Sequence, residues 1–176
     1  MSCNRHTISN MIVFDSSTLI LLAKIDILEL FISNFYGRVL IPEKVRLEVS
    51  AGGGEERLIM VKLIEDNIIK VAKVKNSRQI KKLMEDFNID AGEEEALTLA
   101  IQEKANMVAT DDRNAIRACK LLNIDFVTAI AVLIRAVEKA LISKDEAIIK
   151  LQKLQSVGRY NKEIINDAVK QIKGGG

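Results

Sequence analysis

Met107-Val108-Ala109 is a run of three apolar residues set between two amphipathic helical stretches. It is too short for a helix, and its lack of alternation is that of a strand covered on both faces. Similar short runs recur along the chain: Met11 to Phe14, Val39 to Ile41, Ile68 to Val74 and Ile124 to Val127. Helical patterns separate them, at Leu19 to Lys24, Ile27 to Phe35, Glu55 to Asp66, Ser77 to Phe87, Asp90 to Ala100 and Ala129 to Ala140. Strands alternating with helices predict a three-layer α/β/α fold on a parallel sheet of about five strands. Two further helices, about Lys144 to Gln155 and Asn161 to Ile172, close the chain.

This organisation predicts a frayed lead over residues 1–10 and an α/β domain over 11–142. A helical extension over 143–173 packs on the same domain, and 174–176 form a tail. Hydrophobic residues make up 48% of the chain, enough for a proper core, but aromatics only 4%, so that core is aliphatic. The helices from Leu19 to Ile32 are apolar on more than one face, which predicts a partner for the second face, a homodimer.

Composition also removes several chemistries. The only histidine, His6, precedes the first strand, so the core holds neither a histidine base nor a histidine metal site. Cys3 and Cys119 are far apart and unaccompanied, giving no disulfide framework and fitting a reducing cytoplasm. No apolar run approaches a membrane span, and Met1 to Asn10 lacks the apolar stretch of a signal peptide. A net charge of +2 makes any basic surface local.

What remains is a set of acids at element boundaries. Asp15 ends the first strand and precedes three hydroxyl residues, Ser16, Ser17 and Thr18. Glu48 lies on the helix after the second strand. Asp90 is placed to cap a helix, with Glu93 at capping-box spacing. Asp111 and Asp112 follow Ala109-Thr110 at the tip of a strand. Ends of parallel strands face the edge at which open α/β sheets bind ligands. Carboxylates gathered there repel one another unless a cation joins them, and hard divalent ions take oxygen ligands. Four of these acids also have a plainer role: Asp15 in a turn, Glu93 in a capping box, Asp112 as a helix cap, Glu48 in solvent. Arg113, Arg117 and Lys120 share a helix face and could contact phosphates.

Taken in order, four segments resemble the motifs of the PIN domain of ribonucleases and toxin–antitoxin toxins. IVFDSSTLILLAKI (12–25) resembles the first, with Asp15. IPEKVRLEV (41–49) resembles the second, with Glu48. DAGEEEALTLA (90–100) resembles the third, with Glu93, and ATDDRNAIRACKLLNI (109–124) the fourth, with Asp111 and Asp112. VGRYNKEIINDAVKQI (157–172) resembles the C-terminal helix of a prokaryotic PIN-like subfamily. The resemblance implies Mg²⁺ or Mn²⁺ held by Asp15, Glu93 and Asp111, with Glu48 and Asp112 assisting and Ser17 orienting Asp15. It implies single-stranded RNA as substrate and a small antitoxin protein as a possible partner. The third motif carries Glu where many PIN toxins carry Asp, which leaves Glu93 or Glu94 as the acid; the spacing from Asp90 favours Glu93. Two alternatives stay open. One is a Mg²⁺-dependent phosphatase of haloacid-dehalogenase type, though Ser17 stands where that family has Asp. The other is a non-catalytic module that binds RNA or protein.

Overall fold

The computed structural model describes residues 10–75 and 78–174. Cys3, His6, the expected helix start at Ser77 and most of the glycine tail lie outside the described residues. Five parallel strands form one sheet in the order β3-β2-β1-β4-β5. They are β1 (Asn10–Phe14), β2 (Gly37–Pro42), β3 (Ile69–Ala72), β4 (Met107–Ala109) and β5 (Asp125–Val127). The helices are α1 (Ser16–Lys24), α2 (Leu28–Ser33), α3 (Glu43–Ala51), α4 (Glu55–Glu65), α5 (Arg78–Glu85), α6 (Ala91–Glu103), α7 (Arg113–Leu121), α8 (Ala129–Glu138), α9 (Lys144–Val157) and α10 (Lys162–Gly174). This is the three-layer parallel fold that the strand–helix alternation predicts.

Alternate residues of the strands feed two cores, as the two-residue strand repeat requires. Ile12, Phe14, Val39 and Ile41 enter the larger core with α1, α4, α8, α9 and α10. Met11, Val13, Leu40 and Val108 enter a smaller one built with the alanine-rich faces of α6 and α7. Leu151, Leu154, Ile165, Ala168 and Ile172 of the last two helices belong to the larger core.

That packing also answers part of the apolar excess of residues 19–32. Leu19, Leu22, Ile25, Ile27 and Leu28 are buried, while Ile20, Leu21, Leu30, Phe31 and Ile32 pack against the same core. Lys150 on α9 fastens the contact by donating to the Ile25 carbonyl at 2.8 Å. Ile20, Leu21, Leu30, Phe31 and Ile32 stay half-buried, so packing within the chain accounts for part of the apolar excess.

An acid directly before an apolar run reads as a helix cap, and Asp26 before Ile27 departs from that pattern. Asp26 does not cap the second helix, whose N-cap is Ile27 with no side-chain cap. Asp26 instead adopts a left-handed φ of 57° just past α1. There the Asp26 N–H donates to the Ala23 carbonyl and the Ile27 N–H to the Leu22 carbonyl. This pairing is a Schellman-type ending, in which Asp tolerates the left-handed position that usually selects Gly. The third strand is also shorter than Ile68 to Val74, ending at Ala72.

The strand order positions the site. β1 lies between β2 and β4, so successive connections leave it in opposite directions. Such a reversal opens a crevice at the carboxyl ends of the two strands. The register pairs Phe14 with Ala109 and Ala109 with Val127. Residues 15, 110 and 128 are therefore brought side by side just beyond the sheet.

Candidate functional site

Asp15 is fully buried at the tip of β1. Its backbone N–H donates to the Ala109 carbonyl at 3.1 Å, continuing the β1–β4 ladder one residue further. As the N-cap of α1, its Oδ1 accepts the Thr18 N–H at 2.7 Å. The Ser17 hydroxyl adds a long contact of 3.4 Å to the same oxygen. Oδ2 is buried and, among the described residues, no donor meets it with hydrogen-bond geometry, the Thr110 hydroxyl lying near the carboxylate without completing such a bond. A buried carboxylate oxygen left alone is costly when charged. Burial accordingly raises the pKa of Asp15 from 3.8 to about 6, with the nearby Thr110 hydroxyl and the Thr18 contacts only partly offsetting it. The charge of Asp111 adds a smaller upward push.

Glu93 stands in the first turn of α6, half-buried. Its Oε2 accepts the Asp90 N–H at 3.1 Å, the return arm of the predicted capping box. Even so, its pKa is raised from 4.5 to about 7, by burial first and then by the charges of Asp112 and Asp15. The capping role and the electrostatic role are thus carried by one side chain.

Glu48 reaches the same helix end from α3. A Cβ built on Gly92 would lie 3.0 Å from Glu48 Oε2 and 3.1 Å from Oε1. Glycine at 92 therefore leaves the room in which the Glu48 carboxylate lies. Glu48 also faces Lys44 at 3.9 Å, a partly exposed pair of little energetic weight.

The neighbouring acids Asp111 and Asp112 differ sharply. Asp111 Oδ1 accepts the Tyr160 hydroxyl at 2.6 Å. Its Oδ2 accepts the Thr18 hydroxyl at 2.9 Å and the Ala129 N–H at 3.0 Å. The Ala129 amide lies at the N-terminus of α8, where unpaired N–H groups favour a negative charge. Both oxygens of Asp111 are thus engaged. Asp112 caps α7 through Oδ1, which accepts the Ala115 N–H at 2.8 Å, as the sequence predicts. Among the described residues only that oxygen of Asp112 accepts a hydrogen bond, and Asp112 is the acid whose charge most raises Glu93.

Asp15, Glu93 and Asp112 are therefore electrostatically coupled around the β1–β4 crevice, with Glu48 beside them. Among the described residues no three acids are grouped closely enough to form a finished metal cage. The donors nevertheless suit a hard divalent cation. They are all oxygens, one is buried and unpartnered, and Mg²⁺ commonly takes only one or two carboxylates, with water and phosphate completing its shell.

The basic residues divide. Arg113 and Arg117 are exposed on α7 and join no ion pair among the described residues. Lys120 Nζ lies 5.7 Å from the centre of the Phe126 ring, a cation–π contact. Arg46 pairs with Glu43 on its own helix. Two contributors escape sequence reasoning: Thr18, which touches both Asp15 and Asp111, and Tyr160, which arrives from 49 residues away. The hydroxyl run after Asp15 is the only sequence signal for Thr18.

No curated protein matches the chain. A family model described as a PIN domain matches residues 11–174, nearly the whole chain and every element of the site. The chain belongs to the PIN-domain family, which has a nuclease-type fold and whose members generally use divalent metals.

Proposed function

We propose that the chain is a divalent-metal-dependent endoribonuclease that cleaves single-stranded RNA. The observation that carries this reading is the buried, unpartnered Oδ2 of Asp15, coupled to a second raised carboxyl group, Glu93. A fold that needed these acids only for structure would satisfy or neutralise them. Asp15, Glu93 and Asp112 would hold Mg²⁺ or Mn²⁺, and Glu48 adds negative charge at the same helix end. When bound there, such an ion stabilises charge at phosphorus and supplies an activated water.

The remaining roles belong to the chain itself. Thr18 holds Asp15 by its backbone N–H, and Ser17 supports the same oxygen. Asp111, a ligand by the family resemblance, takes the role of a brace in this proposal, because its oxygens are already spent on three neighbours. Arg113 and Arg117 meet RNA phosphates as they enter, contacts that position without specifying sequence. Hydrolysis of phosphodiesters in a cytoplasm without histidine catalysis fits this set of groups.

Labelled single-stranded RNA incubated with Mn²⁺ or with EDTA tests the reading. Cleavage in Mn²⁺ and none in EDTA is the expected result. Equal cleavage in both overturns it. Binding without cleavage would favour the non-catalytic module. Growth arrest on expression in a host, relieved by Asp15→Asn, is the outcome expected of a toxin held in check by a small antitoxin.

A further inference from the structure

We propose that Tyr160 is a positioning residue for this site: from the turn between α9 and α10 its hydroxyl fixes Asp111, and through Asp111 it sets Asp112 and Asp15. The proposal takes from the nuclease reading only what the site does. The hydrogen bonds that carry it stand by themselves.

Those bonds form a continuous path. The Tyr160 hydroxyl donates to Asp111 Oδ1 at 2.6 Å. The Thr18 hydroxyl donates to Asp111 Oδ2 at 2.9 Å. The Thr18 N–H donates to Asp15 Oδ1 at 2.7 Å. Asp112 is the next residue along the chain, so the backbone fixed at Asp111 determines where its carboxylate begins. Charge-assisted hydrogen bonds of this kind are the short, strong ones, and they hold angles as well as distances.

The hydroxyl is not needed to dock the last two helices. Leu151, Leu154, Ile165, Ala168 and Ile172 already anchor them in the larger core, and the Tyr160 ring packs against that core as an apolar group. A phenylalanine would keep all of this packing. What it would lose is the hydroxyl's bond to Asp111, the polar contact that joins the extension to the site acids among the described residues. Gly158 marks how closely the ring is seated: a Cβ there would lie only 2.8 Å from Tyr160 Cδ2. From the extension, the Tyr160 hydroxyl thus holds Asp111 Oδ1 in place, while Thr18 holds Oδ2.

The test uses the full chain carrying Tyr160→Phe. Melting in EDTA, Mn²⁺ affinity by calorimetry, and kcat and KM on labelled RNA are compared with wild type. Orienting partners of metal ligands typically govern affinity or activity by about 10- to 100-fold. The expected result is melting close to wild type, Mn²⁺ affinity and kcat each lower by about 10-fold or more, and KM within about 2-fold. Wild-type affinity and kcat in Tyr160→Phe overturn the positioning role while leaving the nuclease reading intact. A wild-type chain that neither binds Mn²⁺ nor cleaves RNA removes both. A second measurement does not depend on Tyr160→Phe folding. The chain has no Trp and two Tyr, so Tyr36→Phe leaves Tyr160 as the sole phenol. Saturating Mg²⁺ should change its emission, since an ion at the acids and the phenol share one hydrogen-bonded path. Emission that does not change on Mg²⁺ binding overturns the proposal.

Discussion

The two sides of the crevice treat their carboxyl groups in opposite ways. On the β1–α6 side, Asp15 keeps an unpartnered oxygen and Glu93 is held up to about 7. On the α8–α10 side, Asp111 collects a hydroxyl from Thr18, another from Tyr160 and a backbone amide from α8. The first arrangement keeps negative charge costly until something positive arrives. The second arrangement uses negative charge as mortar. Adjacent acids at one strand end can thus serve different purposes, and the donors around each decide which.

The comparison breaks most visibly in activity. Asp15→Asn and Glu93→Gln should each lower RNA cleavage by about 10²-fold or more, the scale of losing one electrostatic contact in a prepared site. Both variants should remain folded by circular dichroism, because each removes a charge that the apo protein holds at a cost. Near-wild-type cleavage by either variant would remove that residue from the chemistry.

Stability should separate the two neighbouring acids. Asp111→Ala strands three donors and is expected to cost about 3 kcal/mol, or a fall in melting temperature of roughly 6–12 °C for a chain of this size. Asp112→Ala loses one helix cap, worth about 1 kcal/mol, yet should abolish Mn²⁺-dependent cleavage. Thermal melting in EDTA beside an activity assay reads both. If Asp112→Ala cleaves and Asp111→Ala melts like wild type, the two acids have exchanged roles: Asp111 is the ligand and Asp112 the brace.

Much of this is legible from residue order. Met11 to Phe14 and Met107 to Ala109 are apolar without alternation, which marks central strands, and Asp15 and Asp111-Asp112 follow them directly. Asp90 and Glu93 mark a helix start by spacing alone. The different hydrogen bonding of Asp111 and Asp112 is not legible, because it depends on Tyr160 and on the start of α8, which no local pattern connects to β4. The cover over residues 19–32 is hidden for the same reason: amphipathicity shows that a face needs a partner, not which helix returns to supply it. Asp26 departs from its local pattern because an acid before an apolar run reads as a cap, whereas here the chain needs a left-handed residue to end α1.

Titration gives a smaller effect of defined sign. Asp15 and Glu93 have folded pKa values above their ordinary ones, so the folded apo protein binds more protons than the unfolded chain. Their contribution to stability is fully present below about pH 4 and is lost as pH rises through about 7. For Asp15, raised from 3.8 to about 6, the loss across that window is on the order of 3 kcal/mol. Mn²⁺ should oppose it, adding about 2.7 kcal/mol at about 100 times its dissociation constant. The Mn²⁺-induced rise in melting temperature should therefore be small at pH 5 and large at pH 8. A shift independent of pH would separate metal binding from these two acids.

The smallest expected effect tests the register of the acidic run. Glu93, Glu94 and Glu95 are consecutive, and on a helix each points about 100° from the last. Glu93 meets the Asp90 N–H and is coupled to Asp112 and Asp15. Glu94 is held through its backbone: its N–H donates to the Asp90 carbonyl, and its carbonyl accepts the Thr98 hydroxyl. Glu94→Gln leaves both backbone bonds in place and removes only a side-chain charge. It should change stability by no more than about 0.5 kcal/mol, the range of surface substitutions, and leave the Mn²⁺ shift as in wild type. Glu93→Gln should lose most of that shift. It should also melt as high as wild type or higher in EDTA at pH 8, because a neutral amide can still cap Asp90 and no longer opposes Asp15. If instead Glu94→Gln abolishes the shift and Glu93→Gln retains it, the acid belongs one residue later, and Glu93 is a helix cap whose raised pKa reflects its neighbours alone.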